Sequence, residues 1–213
     1  MPCNCYDSYH CLFDSKKAEE DLKNYKTDGP KKSSLPMLEM IKRQELDGLS
    51  LLDIGGGVGA VSFELMKNGI RETTYVDISK AYSEVMLREA EERNLKDKVT
   101  VYLGDFTELA EKINPVDIVT LDKVICCYPD YKELVSQSVS KAKKYYAYII
   151  PRDIWWVKIG LWIDDKFRAL RKSKFKTYAH PVSEINTLIE KEGFNQIERT
   201  HKREWLIALF EKQ

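Results

Sequence analysis

Residues 51–60, LLDIGGGVGA, place four glycines directly after an apolar run that ends in an aspartate. A buried strand that turns sharply into a helix needs glycine where the backbone must curve and approach a ligand closely. Backbone N–H groups at such a turn bind the polar groups of a nucleotide. This stretch therefore predicts a nucleotide-binding turn in an α/β fold, and the rest of the chain tests that prediction.

The chain up to residue 151 alternates between strand-like and helix-like patterns. Apolar runs predict strands at Leu49–Ile54, Glu72–Asp77, Val99–Leu103, Val116–Leu121 and Tyr145–Ile150. Helical patterns lie between them at Val61–Lys67, Lys80–Arg93 and Asp130–Lys141, with a short one after Asp105. Two more helices, Ser15–Tyr25 and Ser34–Leu46, precede the first strand. The alternation predicts a Rossmann-like, doubly wound sheet that is mostly parallel.

The pattern changes after Pro151. Residues 152–180 are rich in Trp, Lys and Arg and interrupt the alternation, so we expect an inserted helical cap. A helix at Val182–Lys191 and two strand-like runs, Asn195–Thr200 and Glu204–Phe210, follow. The runs are too close for a helical crossover and should form an antiparallel hairpin. We expect one domain over residues 1–213, with an N-terminal helical segment at 1–47 and the cap between strands 5 and 6.

The amino-acid composition limits which binding partners and which cellular location the protein is expected to have. Thirty-four basic and thirty-four acidic side chains cancel, which argues against a nucleic-acid partner. No apolar stretch approaches the ~20 residues that span a bilayer, so we expect no membrane partner and no signal peptide. Five cysteines, an odd number, favour thiols over a disulfide framework. We therefore expect a cytoplasmic protein.

Two cofactor classes fit the glycine turn. Gly55-x-Gly57-x-x-Ala60, with Asp77 about 20 positions on, fits the dinucleotide pattern. S-adenosylmethionine is favoured by Asp53, two residues before the first glycine, by the two helices that precede the turn, and by the C-terminal hairpin. An NAD(P)-binding oxidoreductase and a catalytically silent nucleotide-binding module stay open as alternatives.

Over roughly residues 34–213 the sequence resembles the class I S-adenosylmethionine-dependent methyltransferases. Four motifs of that family occur in order: LLDIGGGVGA, TTYVDIS, VTVYLGDF and DIVTLDKVICCY. Within the family, VICCYPDYKELV and YAHPVSEINTLIEKEGF resemble the magnesium-protoporphyrin O-methyltransferases more loosely. The resemblance implies a seven-stranded methyltransferase fold and S-adenosyl-L-methionine as the cofactor.

The resemblance also implies roles at the amino acid end of the cofactor. The backbone of Gly55, Gly57 and Gly59 would face this end. Asp53 would hold the amino group directly or through water, and Asp122 with the residues just after it would lie beside the methionine portion and the substrate.

At the nucleoside end, the resemblance assigns Asp77 to both ribose hydroxyls and Ile78 to the adenine. Asp105 would meet the adenine exocyclic amine, with Phe106 flanking the ring. Ionised carboxylates only accept hydrogen bonds, which suits hydroxyl and amine donors. Capping a helix or forming a turn is the structural alternative for each aspartate alone.

Methyl transfer from a sulfonium requires alignment and exclusion of water, and a general base is optional. Tyr128 is a candidate to stabilise the sulfonium by a cation–π contact, or else it is a core aromatic. His180 is a candidate base for a hydroxyl or amine acceptor, or else a loop residue.

The cap is expected to supply the acceptor site. Trp155, Trp156 and Trp162, surrounded by Arg152, Lys158, Arg168 and Arg171, would suit a flat or apolar acceptor that bears a carboxylate. Alternatively these tryptophans pack on the sheet or on a second subunit, which would give a homodimer. The two early helices would form the opposite wall. We expect O- or N-methylation of a small aromatic or carboxylate-bearing metabolite, whose identity the sequence leaves open.

The cysteines form two groups. Cys3, Cys5 and Cys11 cluster near His10, yet their spacing matches no common zinc site, so we expect no metal. Cys126 and Cys127 follow the fourth strand and are either small core residues or soft ligands for a thiophilic acceptor.

Overall fold

Seven strands form one sheet in the computed structural model, which describes residues 14–170 and 175–213. The strands are β1 (Ser50–Ile54), β2 (Glu72–Asp77), β3 (Val99–Leu103), β4 (Val116–Asp122), β5 (Ala142–Pro151), β6 (Phe194–Lys202) and β7 (Trp205–Lys212). Their order across the sheet is β3-β2-β1-β4-β5-β7-β6. The first five are parallel, and β7 runs antiparallel to both β5 and β6. The predicted mostly parallel sheet with an antiparallel hairpin is confirmed.

Eight α-helices connect or precede these strands in the described part of the chain. They are α1 (Ser15–Asp28), α2 (Leu35–Lys42), α3 (Ala60–Met66), α4 (Lys80–Glu92), α5 (Phe106–Leu109), α6 (Tyr131–Val139), α7 (Trp155–Leu170) and α8 (Val182–Lys191). Every helix predicted from the sequence is present with shifts of a few residues at its ends. The predicted cap contains one long helix, α7.

The central strands are apolar on both sides because helices cover both faces of the sheet. Leu51 and Ile118 pack with α2 and α3 on one face, whereas their neighbours Leu52 and Val119 pack with α6 and α8 on the other. A third cluster joins α1 and α4 through Leu22 and other buried residues. This packing holds the carboxyl ends of β1, β2 and β4 in fixed positions.

Side-chain caps fix where helices begin beside these strand ends. The Asp130 side chain accepts a hydrogen bond from the Glu133 N–H at 3.3 Å, as its spacing predicts, and Ser79 caps α4 in the same way. Ser34 precedes α2 but makes no side-chain cap. Its hydroxyl instead donates a hydrogen bond to Asp122 at the carboxyl end of β4. Among the described residues, no helix is both long and apolar enough to cross a membrane.

Candidate functional site

A cavity of about 650 Å³ opens at the carboxyl ends of β1, β2 and β4. Its volume lies in the range of about 300–1,000 Å³ that small-molecule sites occupy. Ligands of open α/β sheets bind at this edge, where the strand order changes direction. The floor is formed by these strand ends and the glycine turn, namely Asp53–Val58, Val76–Ile78, Gly104, Phe106 and Asp122–Val124.

The first two glycines of the turn leave no room for a side chain. A Cβ on Gly55, whose φ is +63°, would lie 2.5 Å from Cγ2 of Val124. A Cβ on Gly56 would lie 2.7 Å from two ring carbons of Tyr75. The third glycine, Gly57, donates its N–H to Oδ2 of Asp77 at 3.0 Å. These three glycines line the cavity floor, and the cofactor contact of the Gly55 and Gly57 backbone stays a prediction.

Gly59 has a different place from the one that the sequence suggested. It does not line the cavity, and with a φ of +78° it is the N-cap of α3. A Cβ there would lie 2.8 Å from Phe63 and 3.0 Å from Met86. Gly59 thus allows close packing of α3 against α4, and the cofactor contact predicted for it stays a prediction.

Asp53 is fully buried at the end of β1 and lines the cavity. Its Oδ2 accepts from the Ser62 hydroxyl at 2.7 Å, and its Oδ1 accepts from the Thr120 hydroxyl at 2.9 Å. Burial raises the pKa of Asp53 to about 7, although the two hydroxyls oppose that shift and nearby Asp122 adds to it. Asp53 therefore ties β1 to α3 and β4, and its raised pKa makes its ionisation depend on pH near neutrality.

Asp77 ends β2 and faces the same cavity. Besides the Gly57 N–H, it accepts the Ser79 N–H on Oδ1 at 2.8 Å. Burial raises the pKa of Asp77, and these backbone donors oppose the rise. The neighbouring Ile78 also lines the cavity. The carboxylate is held in one orientation beside an apolar wall, an arrangement that suits the hydroxyl pair of a ribose.

Asp105 begins α5 and does not line the cavity, in contrast to Phe106. Its Oδ1 accepts hydrogen bonds from the N–H and hydroxyl of Thr107, both at 2.9 Å, and from the Tyr128 hydroxyl at 2.9 Å. The carboxylate is engaged as a helix cap. Asp105 thus supports Tyr128, and the adenine contact predicted for it stays a prediction.

A polar cluster at the end of β4 joins Asp122, Lys123 and Ser34. The Lys123 ammonium donates to Oδ1 of Asp122 at 2.7 Å and to the Ser34 hydroxyl at 3.0 Å, and it lies 5.4 Å from the centre of the Trp205 ring. Lys123 has a φ of +64°, a conformation that is uncommon outside glycine. The sequence places the residues just after Asp122 near the methionine portion and the substrate, but it assigns no separate role to Lys123, because neither its conformation nor its contact with residue 34 can be read from the motif.

Tyr128 and His180, the two candidate catalytic residues, lie in different positions relative to the cavity. Tyr128 lines the cavity. His180 does not: its Nε2 donates to the Tyr128 carbonyl at 2.9 Å, and its ring stacks on Tyr131 and Tyr178 at 4.2 and 5.4 Å. Burial lowers the pKa of His180. The imidazole therefore supports the Tyr128 backbone from outside the cavity lining, a position that does not favour the general-base role, which stays a prediction.

The N-terminal segment forms the wall opposite the strand ends, as predicted. Asp21, Asn24 and Tyr25 of α1 line the cavity, followed by residues 28–32 and Ser34. Asp21 is buried, accepts the Tyr82 hydroxyl at 2.7 Å and pairs with Lys31 at 3.3 Å. This network links α1 to α4 across the cavity mouth, and no local pattern in the sequence predicts it.

None of the described residues within 152–180 lines the cavity. The expectation that the cap supplies the acceptor site is therefore not supported, and Arg171 lies outside the described residues. The same is true of Cys3, Cys5, His10 and Cys11. Of the adjacent pair, Cys127 lines the cavity and Cys126 is buried, with the two sulfurs 4.0 Å apart.

The profile of a methyltransferase domain family matches residues 45–206, which is most of the chain and includes all four motifs through β4. The chain belongs to this methyltransferase family. S-adenosylmethionine is the methyl donor that the family implies, so the methyltransferase is of the class I S-adenosylmethionine-dependent type, and the oxidoreductase alternative is set aside. No curated protein matches the sequence significantly.

Solved structures share the methyltransferase fold. The magnesium protoporphyrin IX methyltransferase of Synechocystis, crystallised with S-adenosylhomocysteine, is 19% identical with a TM-score of 0.75 and covers 99% of this chain and 100% of its own. A putative methyltransferase of Haloferax volcanii, in complex with the activator Trm112, is 12% identical with a TM-score of 0.67, covering 98% and 97%. An O-methyltransferase family 2 protein of Planctomyces limnophilus, in complex with apigenin, is 17% identical with a TM-score of 0.60, covering 88% and 64%.

The cavity fits S-adenosylmethionine chemically. The glycine floor excludes side chains, a carboxylate for hydroxyl donors is fixed at Asp77, and apolar Ile78 and Phe106 stand beside it. A second buried carboxylate, Asp53, lies at the end of the neighbouring strand.

This second carboxylate gives a pH-dependent prediction. The raised pKa means that Asp53 keeps its proton below about pH 7, whereas a ligand ammonium group favours the ionised form. We expect the affinity for S-adenosylhomocysteine to rise with pH, by up to about tenfold per unit below the pKa, and to level off above it. Calorimetric titration between pH 6 and 8, in buffers of different ionisation enthalpy, measures both affinity and proton release.

The control is Asp53→Asn, which cannot titrate and should flatten the pH dependence. If the affinity of this variant still rises with pH as it does in the wild type, a group other than Asp53 titrates. Asp77, whose pKa is also raised, is then the first candidate.

Proposed function

We propose that the protein transfers the methyl group of S-adenosylmethionine to an oxygen or nitrogen of a small aromatic or carboxylate-bearing acceptor. One observation supports this most directly: the same cavity joins the cofactor floor to the polar cluster Ser34, Asp122 and Lys123. A donor and an acceptor bound in these two parts would be neighbours. Two small-molecule methyltransferases among the structural neighbours, one named for magnesium protoporphyrin IX and one bound to apigenin, agree with this class.

The cofactor part of the cavity is assigned residue by residue. We propose that Asp77 binds the ribose hydroxyls, that Ile78 and Phe106 flank the adenine, and that the backbone of Gly55 and Gly57 faces the amino acid end. We propose that Asp53 attracts the amino group of the cofactor through its negative charge from beneath the turn. A direct hydrogen bond is not required for this, since both of its oxygens already accept side-chain hydroxyls.

The acceptor part is proposed to lie over Lys123 and Tyr128. The Lys123 ammonium is positioned by Asp122, Ser34 and the Trp205 ring, so little side-chain entropy is lost when it binds a carboxylate. Tyr128 is held by Asp105 and lines the cavity, where its ring can face a positive sulfur. Lys31 and Lys32 add positive charge at the mouth.

The bound cofactor supplies an activated methyl group. The protein has to align the acceptor and keep water out, and α1 is the element that covers the site. The Asp21–Tyr82 hydrogen bond fixes α1 against α4 at this position. A carboxylate acceptor is already ionised at neutral pH and needs no base, which agrees with the position of His180 outside the cavity lining.

Transfer of labelled methyl from S-adenosylmethionine into a metabolite extract tests the proposal. We expect one labelled small-molecule product, separable by chromatography. Binding of S-adenosylhomocysteine with no labelled product across a broad extract would instead favour the silent nucleotide-binding module.

The acceptor cluster carries its own prediction. Lys123→Met keeps the aliphatic stem and removes the charge, so the KM for a carboxylate acceptor should rise about tenfold to a hundredfold, the loss of one charged hydrogen bond. The affinity for S-adenosylhomocysteine, measured by calorimetry, should stay within about threefold of the wild-type value, because Lys123 is assigned to the acceptor and not to the cofactor. A threefold change is less than the ~1.4 kcal/mol that corresponds to a factor of ten.

Lys144→Met is the matched control. Lys144 also lies over an aromatic ring, 5.0 Å from the centre of Tyr145, yet it does not line the cavity. An equal rise of KM in both variants would remove Lys123 from the acceptor site.

A further inference from the structure

Helix α7 presents an unusual surface. Only one of its sixteen residues, Val157, is buried. Its large apolar side chains are exposed instead, with relative exposures of 73% at Trp155, 43% at Trp156, 49% at Ile159, 62% at Trp162, 42% at Ile163, 60% at Phe167 and 80% at Leu170. A contiguous apolar area of this kind marks an interaction surface on a folded protein.

The exposed side chains share one face of the helix, here called the outer face of α7 and formed by the seven residues just given. Positions 155, 159, 162 and 163 repeat at the helical spacing of three and four, and 170 continues it. Val157 lies on the opposite side. The helix is therefore amphipathic, with its apolar face turned away from the protein body.

Polar contacts hold the inner side of α7. Arg168 donates to Oγ1 of Thr177 at 2.8 Å, and it pairs with Asp164 at 2.9 Å and with Asp165 at 3.5 Å. At the start of the segment, the Arg152 N–H donates to the Glu204 carbonyl at 2.8 Å. The fold thus positions α7 without using its outer face.

We propose that the outer face of α7 docks the protein on an anionic lipid surface, lying flat at the headgroup boundary. Tryptophan is the side chain most typical of that boundary, and this face holds three of the four in the chain. An amphipathic helix with Trp, Ile, Phe and Leu on one side and basic residues around them is the usual form of an interfacial anchor.

The position of Lys166 favours lipid, and not a second copy of the chain, as the binding partner of the outer face of α7. It lies within the outer face, between Trp162 and Leu170, with its ammonium 5.5 Å from the centre of the Trp162 ring. In a two-fold dimer through this face, both copies of Lys166 would be desolvated close together, which is unfavourable. At a lipid surface the aliphatic stem lies among the apolar side chains and the ammonium reaches the phosphates.

The charge around α7 suits anionic lipids. Asp164 and Asp165 both pair with Arg168, which offsets one of their two negative charges, and Asp153 is paired with Lys158 at 2.6 Å. In sequence, residues 166–176 contain six Lys or Arg and no Asp or Glu. Basic residues next to an interfacial helix are attracted to anionic headgroups and add to its binding.

This proposal revises the sequence-based expectation of no membrane partner. That expectation used the absence of a spanning segment, and no helix among the described residues is long and apolar enough to cross a membrane. Surface binding has no such requirement, because a helix lying in the interface needs only an apolar face.

Co-flotation of the full chain with vesicles tests the proposal. We expect binding to phosphatidylcholine vesicles that contain phosphatidylglycerol, much weaker binding to pure phosphatidylcholine, and a blue shift of tryptophan fluorescence on binding. Trp155→Ser combined with Trp162→Ser should lower the partition coefficient about tenfold or more, because two anchoring side chains are lost. Lys166→Glu should lower it about tenfold on anionic vesicles, through two units of charge.

The controls make the same chemical changes elsewhere. Leu87→Ser combined with Ile197→Ser replaces two side chains that are each 39% exposed on other elements, and Lys191→Glu reverses an exposed charge at the end of α8. We expect near wild-type partition for these control proteins. Calorimetry should show unchanged affinity for S-adenosylhomocysteine in every variant, because α7 does not line the cavity.

Two results would overturn the proposal. One is absent vesicle binding, or binding that the tryptophan substitutions leave intact. The other is a dimer in sedimentation that these substitutions dissociate, without vesicle binding, which would identify a second copy as the occupant of the outer face.

Discussion

Gly56→Ala is expected to destabilise the protein by about 3 kcal/mol, the upper part of the usual range for overpacking. The new methyl group would lie 2.7 Å from two ring carbons of Tyr75 and 2.8 Å from Oδ2 of Asp53. Both neighbours are fully buried and cannot move aside without disturbing β1 and β2. Thermal unfolding should show a decrease in Tm of about 6–12 °C, given ~2–4 °C per kcal/mol for a chain of this size.

Gly160→Ala is the matched control for Gly56→Ala. It adds the same methyl group in α7, where no atom lies within 4 Å of the new Cβ. Since alanine is favoured over glycine in a helix by about 1 kcal/mol, the control should be neutral or slightly more stable. Equal stability of the two variants would mean that the turn relaxes to admit a side chain, and its role in shaping the cavity would have to be abandoned.

Asp77→Asn is expected to weaken binding of S-adenosylhomocysteine about tenfold to a hundredfold. The substitution replaces one carboxylate oxygen by an amide nitrogen, which removes one of the two charged hydrogen bonds proposed for the ribose hydroxyls, at about 1.5–3 kcal/mol. Asparagine keeps one oxygen, which can accept one of the Gly57 and Ser79 N–H groups that the two oxygens of Asp77 accept, whereas alanine would leave both groups unpaired. Isothermal titration measures the dissociation constant.

Asp117→Asn is the control for Asp77→Asn. Asp117 accepts the Ser50 N–H and hydroxyl at 2.8 and 2.7 Å, so it is also a carboxylate bound by backbone, but it lies at the opposite end of the strands. Its variant should be destabilised to a similar degree and should bind normally. If Asp77→Asn folds and binds as the wild type does, the ribose assignment is wrong. If both variants bind weakly, the effect comes from lost stability.

The fold was predictable because its signals are local. Each strand is an apolar run, each crossover has helical periodicity, and the spacing between β6 and β7 allows only a hairpin. The turn at Gly55–Gly57 was predictable for the same reason. Boundaries shifted where the tertiary structure provided further pairing, as at β5, which begins three residues before the predicted strand and pairs with both β4 and β7.

The site was predictable only in part, because its remaining features depend on residues that are distant in sequence. Gly59 and Asp105 belong to the right motifs, yet packing against Met86 and a hydrogen bond from Tyr128 decide what they contact. Lys123 acquires its orientation from Ser34, 89 positions away. The cap tryptophans look like a binding site in sequence, but the sequence does not reveal which side of a helix faces the protein.

The position of β7 has a consequence for synthesis. This strand lies between β5 and β6 although it follows both in the chain, so β6 has no sheet partner other than β7. While residues 205–212 are still inside the ribosome, β5 ends the sheet with an open edge and the apolar residues facing it stay exposed. Until that strand inserts, β5 is the edge strand of an incomplete sheet, and such an open edge is a place where other chains can pair.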